Sequence, residues 1–225
     1  MTASIPRLPL RDELFLLGHN DDTGQPHIHR QALALGMAGA VLIDLFLAGR
    51  IILDGDTRPA GDQRVRLHID RPVGDLIADT AITGIRYTHP APPLRAWLRG
   101  FADDLYERTR AGLLAGGILR HTSRRRLGGL VRAEVYLATD TKWAVVARAR
   151  LRYLAAGREQ PDNHTAALAG LVAALGLTGH LYLDDDITAV AARLRTITDQ
   201  HHRPVRDITA AVDAAVGDLA TAAYR

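Results

Sequence analysis

The sequence feature that most constrains the fold is an apolar run from Ala32 to Leu47, with the sequence ALALGMAGAVLIDLFL. Its first twelve residues carry neither a charge nor a hydroxyl, and Asp44 then interrupts it. The run is shorter than the roughly 20 apolar residues that a membrane-spanning helix needs. A helix that is apolar on every side is therefore expected at the centre of the fold. Gly36 and Gly39 share one face of it, which predicts the close approach of another helix backbone.

Composition narrows the class of protein. The 225 residues are 47% hydrophobic, enough for one sizeable core, and contain no cysteine for a disulfide or a thiolate-bound metal. The N-terminal stretch lacks an apolar signal region, so we expect a cytoplasmic protein, soluble or peripherally bound. All basic residues but Lys142 are arginine, which indicates a GC-rich coding sequence; arginine also binds phosphate in a bidentate manner.

Helical periodicity dominates the rest of the chain. Helices are predicted at Leu8–Leu17, from Leu76 with Asp75 as N-cap, after Pro93 with a break or kink at Gly100, at 102–115 and at Trp143–Ala156. Further helices are predicted from Pro161-Asp162, with Ala and Leu dominating Ala166–Leu177, after Asp184–Asp186, and from Pro204. The segment Arg50–Leu53 and the alternating stretch Val65–Ile69 are candidates for the two strands of a hairpin. We expect one mainly α domain over residues 1–225, with a buried central helix wrapped by amphipathic helices.

A second hairpin is predicted between residues 118 and 137, where the segment RHTSRRRLGGLVR has five arginines and no acid. Gly128-Gly129 suits a hairpin turn. The predicted structure is a projecting β-hairpin whose apolar tip is Leu127, Leu130 and Val131, with a collar of Arg120, Arg124, Arg125, Arg126 and Arg132. A two-residue turn would pair Arg126 with Val131 and Arg124 with Ala133, a poor match, so a longer loop is the alternative.

The collar and tip together favour an anionic phospholipid surface as partner. Each arginine near such a surface contributes roughly 1 kcal/mol, and each buried aliphatic side chain adds roughly 1.5–3 kcal/mol. One alternative is a hairpin packed on its own domain with solvated arginines. Another is a protein–protein adaptor or homo-oligomer that uses the hairpin without lipid. Nucleic acid is not expected, because Tyr136 is the one aromatic residue near the arginines.

Catalytic and metal-binding patterns are weak. His27 and His29 could hold a metal only with a third ligand, and Asp184–Asp186 is explained as the start of a helix. His201-His202 is expected to be exposed. Phosphate-loop, nucleophile-elbow and zinc-protease motifs are missing from the sequence. We therefore expect no metal, no cofactor and no catalytic site, and keep an enzyme with an unrecognised pocket as the least favoured hypothesis.

Four stretches, in order and spacing, resemble the Golgi phosphoprotein 3-like family. They are the opening LPLRDELFLLG (8–18), the central GMAGAVLIDL (36–45) with Gly49-Arg50-Ile51, PVGDLIAD (72–79), and the segment from Leu113 to Leu119 ending in Gly-Ile-Leu. The resemblance covers nearly the whole chain, and the arginine-rich composition favours a bacterial member.

The resemblance implies a non-enzymatic, mostly helical peripheral membrane protein with a projecting hairpin. The eukaryotic members bind phosphatidylinositol 4-phosphate in a basic pocket, insert the hairpin tip in the bilayer and hold glycosyltransferase tails in the Golgi. The four pocket positions correspond here to His29, Ala38, Asp103 and Tyr106, where the family has a tryptophan and three arginines. This chain is therefore expected to contact lipid without a dedicated headgroup pocket.

Two residues near those positions complete the candidate lipid-binding set. His29 stands at the tryptophan position, and Arg108 lies on the helix that carries two of the replaced arginines. Arg110 is also close, but residues two apart do not share a helical face. The candidate set is therefore His29 and Arg108 together with the arginine collar.

Overall fold

The computed structural model describes residues 7–55, 59–126, 131–158, 160–181 and 186–222. Within them it has ten α-helices and two separate two-stranded antiparallel sheets, which confirms the mainly α fold. The elements are α1 Leu10–Leu17, α2 Arg30–Leu47, β1 Ile51–Asp54, β2 Arg64–Leu67, α3 Leu76–Tyr87, α4 Leu94–Ala102, α5 Leu105–Ala115, β3 Leu119–Arg126, β4 Val131–Ala138, α6 Lys142–Ala155, α7 Asn163–Ala174, α8 Thr178–Leu181, α9 Ile187–Asp199 and α10 Arg203–Ala222. A short 3-10 turn, Ala60–Asp62, lies between β1 and β2.

Helix α2 is the centre of the fold, as its apolar sequence predicts. Helices α1, α4, α5, α7 and α10 all pack against it. Within the described ranges it is the one helix long and apolar enough to cross a bilayer, but 72% of it is buried inside the protein. Burial of its apolar side chains among the other helices stabilises the fold by about 25 cal/mol for each Å² of apolar surface removed from water.

The two glycines of α2 make room for side chains rather than for another backbone. A Cβ on Gly36 would lie 2.5 Å from Leu175 Cδ1, and one on Gly39 would lie 2.6 Å from Val212 Cγ2. The predicted close approach of another helix backbone is therefore wrong at these glycines, because the atoms that need the space are side-chain atoms of Leu175 at the end of α7 and of Val212 of α10. A leucine or valine methyl group fills the volume that a larger residue in α2 would occupy.

Asp44, the one charged residue in the apolar run, supplies a hydrogen-bond acceptor for the first backbone N–H of α1. Pro9 stands at the N-cap of α1 and has no side-chain acceptor, so Asp44 Oδ2 accepts the Leu10 N–H at 3.0 Å instead. Burial raises the pKa of Asp44 to about 6, against opposing effects of His164, the Leu10 N–H and Arg11. The acid in the core thus has a structural partner on the neighbouring helix.

Helix α1 is tied to its other neighbours by buried charges. Arg11 donates from Nη1 and Nη2 to the two carboxylate oxygens of Asp75, at 2.9 and 3.0 Å. Glu13 accepts hydrogen bonds from Arg150 Nη2 at 2.5 Å and from His164 Nε2 at 3.1 Å. These bonds join α1 to the start of α3, to α6 and to α7.

The helix starts predicted from the sequence agree with the structure better than the predicted helix ends do. Asp75 and Asp162 cap α3 and α7 by accepting backbone N–H groups, and Asp186 caps α9. The helix predicted over Ala166–Leu177 instead ends at Ala174 and is followed by the separate short α8. Helix α4 also continues through Gly100, and the break falls after Ala102.

Both predicted hairpins are present in the described strands. Strand β1 pairs with β2, from Ile51 opposite Leu67 to Asp54 opposite Arg64. In β3–β4 the register runs from Leu119 opposite Ala138 to Arg126 opposite Val131. That register is the one a Gly128-Gly129 turn would produce, although residues 127–130 themselves lie outside the described ranges.

Candidate functional site

The base of the β3–β4 hairpin is fixed to the helical body. Leu119, Val135 and Leu137 are buried, and β3 packs against α5. The turn that ends at Gly24 packs against the other strand, where a Cβ on Gly24 would lie 2.4 Å from the Tyr136 carbonyl oxygen. Gly24 also has a positive φ of 63°, so both its conformation and its contact require glycine.

The arginine collar and apolar tip are only partly described. Arg120 is exposed, in the half of β3 next to the body. The backbones of Arg124, Arg125, Arg126 and Arg132 lie in paired strands, but their side chains and that of Val131 are outside the described part. Leu127 and Leu130 are outside it entirely, so the projecting tip stays a prediction.

A cationic cluster lies where the N-terminus of α2 meets α5 and β4. The Arg30 guanidinium carbon is 5.2 Å from the Tyr106 ring centroid, and Arg30 Nη1 is 4.0 Å from Glu107 Oε1. Arg110 pairs with the other oxygen of Glu107, and its guanidinium carbon lies 4.2 Å from the ring centroid of Tyr136. Two arginines around a single carboxylate leave this cluster, formed by Arg30, Tyr106, Glu107, Arg110 and Tyr136, with an excess positive charge.

A buried histidine, His19, forms a hydrogen bond with the hydroxyl of Tyr106. His19 Nδ1 lies 2.6 Å from the Phe15 carbonyl oxygen, which can only accept, so that nitrogen carries the proton. His19 Nε2 therefore accepts the hydrogen bond of the Tyr106 hydroxyl at 2.7 Å. Burial lowers the pKa of His19 to about 4 and keeps the ring neutral. Burial also raises the pKa of Tyr106.

His29 stands beside this cluster at the start of α2. It is exposed, and its Nδ1 accepts the Gln31 N–H at 3.3 Å, which makes it the N-cap of the helix. Because Arg30 follows it directly, the predicted pocket positions His29 and Tyr106 both lie at the cluster. Ala38 is fully buried within α2, and Asp103 is exposed between α4 and α5.

Arg108 and Arg110 point to different surroundings. Arg108 lies 3.4 Å from Asp104, and its guanidinium carbon is 5.9 Å from the Phe101 ring centroid. The cluster instead includes Arg110, which was not among the predicted lipid-binding residues. The available signal was its spacing from Tyr106 and Glu107, four and three residues earlier on the same helix.

The remaining candidate constellations do not form a metal site in the described ranges. His27 stacks on His180, with ring centroids 4.5 Å apart. Among the residues the structure describes, three or more histidine and acidic side chains do not gather in a geometry that could hold a metal ion.

The fold and the cluster define a class of helical protein with a central apolar helix and an arginine-rich hairpin that packs against a neighbouring helix, α5. The sequence profile of the Golgi phosphoprotein 3 (GPP34) family matches residues 10–222, and the chain belongs to this family, as its motifs predicted. It is similar to vacuolar protein sorting-associated protein 74 of Schizosaccharomyces pombe, with 25% identity over 139 residues. That match covers 54% of this chain and 41% of the relative's length.

Proposed function

We propose that this protein is a peripheral membrane protein that binds anionic phospholipid surfaces through the β3–β4 hairpin. It would act in the cytoplasm as one unit over residues 1–225, as a binding protein rather than an enzyme. Membership of the Golgi phosphoprotein 3 family supports this proposal, because the family resemblance implies phosphoinositide binding at membranes. Headgroup selectivity is expected to be low, since the family's pocket positions are occupied here by His29, Ala38, Asp103 and Tyr106.

The observation that carries the proposal is the register of the hairpin. Arg125 and Arg132 are directly opposite each other, and Arg124 and Arg126 are their neighbours on β3. Like charges directly across a strand pair are destabilising. An anion at this end of the hairpin would remove that repulsion, so phosphate groups at a bilayer surface are a suitable partner.

The base of the hairpin adds a second region of positive charge. The cationic cluster with Arg30 and Arg110 reaches β4 through Tyr136. Arg120 is exposed on the adjacent strand. Anionic headgroups that meet the collar could therefore also interact with basic side chains closer to the body.

Liposome flotation tests the proposal, with vesicles of phosphatidylcholine alone or with about 20% phosphatidylserine or phosphatidylinositol 4-phosphate. The double variant R125E/R126E is expected to bind anionic vesicles at least about tenfold more weakly, because two positive charges at the contact become negative. The matched control R71E/R195E changes net charge equally at two exposed arginines on other surfaces. It should bind nearly as the unchanged protein does.

Two results would contradict lipid binding through the hairpin. One is equal vesicle binding by the unchanged protein and R125E/R126E. The other is an equal loss in R71E/R195E, which would indicate a general charge effect. A concentration-dependent dimer that is lost in L127D/L130D, with no lipid effect, would favour the adaptor or oligomer alternative instead.

A further inference from the structure

A groove lies between α6 and α9, and its lining residues belong neither to the β3–β4 hairpin nor to the cationic cluster. Its volume is about 710 Å³, within the range of roughly 300–1,000 Å³ that is typical of ligand sites. Helix α6 forms one wall, and Leu181 of α8 and Val190 of α9 contribute to the other. The groove is therefore a candidate site separate from the surface proposed to meet the membrane.

An apolar row lies along the α6 side of the groove. Val145, Ala149 and Tyr153 are spaced four residues apart, so they follow one another along a single face of the helix. Val145 is 51% exposed and Tyr153 is 45% exposed, and both line the same groove as Leu181 and Val190. From Val145 to Tyr153 the helix rises by about 12 Å, so the groove offers a hydrocarbon chain an apolar floor of that length.

The two arginines in the middle of the groove are already engaged. Arg148 donates a hydrogen bond from Nη2 to Asp21 at 2.7 Å. Arg152, which is one helical turn further along α6, also takes part in an interaction within the chain. A ligand in the middle of the groove would therefore meet apolar side chains and arginines that already have partners.

The cations without partners lie together at one end of the groove. Arg158 follows the end of α6 and lines the groove, and Arg193 is three residues after Val190 on the same face of α9. A Cβ on Gly157 would lie 3.3 Å from Arg193 Nη2, so this guanidinium reaches the end of α6. Both arginines are exposed, and in the described part of the chain neither side chain has a hydrogen bond or an ion pair.

We propose that this groove binds a fatty acid, with the hydrocarbon chain along α6 and the carboxylate between Arg158 and Arg193. A fatty acid has one charged end and an apolar body, which matches the positions of the available cations and of the apolar row. Guanidinium groups bind carboxylates through short, charge-assisted hydrogen bonds. The inference does not depend on lipid binding by the hairpin.

Two other occupants match the groove less well. A docked helix with acidic residues along its length would find free cations at one end of the groove only. A second copy of this chain would bring the arginines of two α6 helices together, and like charges repel each other. The charge pattern thus favours a ligand with a single anionic end.

Isothermal titration calorimetry with laurate, at concentrations below micelle formation, tests the proposal. We expect a Kd below roughly 100 μM for the unchanged protein. Dodecylammonium has the same chain length and the opposite charge, and should bind at least about tenfold more weakly. Acetate, which has the carboxylate without the chain, should bind at least about a hundredfold more weakly.

Two groups of variants locate the two ends of the ligand. R158E/R193E should weaken laurate binding at least about tenfold and strengthen dodecylammonium binding, because the charge at the end of the groove is reversed. Tyr153→Asp should weaken the binding of both amphiphiles. The matched controls R71E/R195E and Leu76→Asp change exposed residues outside the groove and should alter the Kd for laurate less than about twofold. Circular dichroism and thermal unfolding check that all variants are folded.

Three outcomes overturn the proposal: a Kd for laurate above roughly 1 mM, equal affinity for dodecylammonium, and unchanged laurate binding by R158E/R193E. The hairpin variant R125E/R126E should bind laurate as the unchanged protein does, and a loss there would place the fatty acid at the hairpin instead. If R158E/R193E reduces flotation with phosphatidylserine vesicles while laurate fails to bind, the groove is part of the membrane contact and a fatty-acid site is excluded.

Discussion

At the scale of single residues, Asp44 is a partly buried acid whose folded-state pKa is raised to about 6 by its loss of hydration. The folded chain therefore holds a proton on Asp44 at pH values where the unfolded chain, with an ordinary pKa of 3.8, has lost it. Proton uptake favours the folded state, so this contribution to stability is complete below about pH 4 and is lost as the pH rises through about 6.

The variant D44N isolates that contribution, because asparagine keeps an oxygen that can accept the Leu10 N–H but does not titrate. The free energy of unfolding of the unchanged protein, minus that of D44N, should fall by on the order of 2–3 kcal/mol between about pH 4 and pH 7. Urea unfolding at several pH values measures it. A difference that is constant with pH would contradict the raised pKa.

The unchanged protein must be compared with D44N, because His19 changes stability with pH in the direction opposite to Asp44. Its pKa is lowered from 6.5 to about 4, so the unfolded chain takes up the proton first as the pH falls. Stability from His19 is complete above pH 6.5 and is lost as the pH falls towards about 4. The two groups offset each other in the unchanged protein, and a single pH profile would hide both.

Gly39 gives a second prediction at this scale. Alanine in a helix interior is normally better than glycine by about 1 kcal/mol. At Gly39, however, the new Cβ would meet Val212 Cγ2 at 2.6 Å, and a valine in a helix has little freedom to turn aside. G39A should therefore lower the free energy of unfolding by about 1–3 kcal/mol.

Gly84 is the matched control for that substitution. It lies inside α3, and a Cβ there would have no neighbour within 4 Å among the described residues. G84A should raise the free energy of unfolding by about 0.5–1 kcal/mol. Thermal or urea unfolding of both variants compares them, and a stabilised G39A would show that Val212 can move freely.

At the scale of elements, two arginines bind the N-cap aspartates of two different helices. Arg11 holds Asp75 at the start of α3, and its side chain is 6% exposed. Arg7 holds Asp162 at the start of α7 at 2.6 Å, with both side chains nearly half exposed. The same type of contact is thus present once in the interior and once at the surface.

Their alanine variants should differ strongly. R11A would leave Asp12 and Asp75 without the guanidinium that both contact, and should cost about 3–5 kcal/mol in unfolding free energy. R7A removes an exposed ion pair and should cost about 0–1 kcal/mol. Urea unfolding at one pH tests this, and equal losses would mean that burial is not what gives the Arg11 bond its importance.

The sequence predicted elements well where a local rule determines them. Asp75 and Asp162 were identified as helix starts because an N-cap needs a side-chain acceptor next to the first turn. The separate α8 was not predicted, and the break between α4 and α5 was predicted at Gly100 but falls after Ala102, since glycine lowers helix propensity without ending the helix. Packing of the neighbouring helices decides such boundaries.

At the scale of the whole molecule, six helices of the described part pack against α2, so its amides should exchange only when the entire core opens. Hydrogen exchange in native conditions should give residues 33–45 an opening free energy equal to the global unfolding free energy. Amides of α3, whose outer face is exposed at Leu76 and Tyr87, should exchange through smaller openings. Equal protection of both helices would contradict this hierarchy.

The cationic cluster could not be predicted from sequence patterns, because its residues are far apart in the chain. Arg30, Arg110 and Tyr136 belong to α2, α5 and β4, and only the fold brings them together. The hairpin register, in contrast, is the one predicted for a Gly128-Gly129 turn, although the poor pairing of its arginines had left a longer loop as the alternative. Local chemistry was predictable, whereas contacts between distant segments depended on packing.

The bond between Asp44 and Leu10 has a consequence for how the core assembles. A helix that is apolar on every face could pack among its neighbours at several rotations about its own axis, with little difference in free energy. Only one of those angles brings the Asp44 carboxylate to the Leu10 amide, 3.0 Å away. The hydrogen bond of Asp44 thereby fixes the rotation of α2 about its axis. The same rotation places Gly36 and Gly39 opposite the methyl groups that need their space.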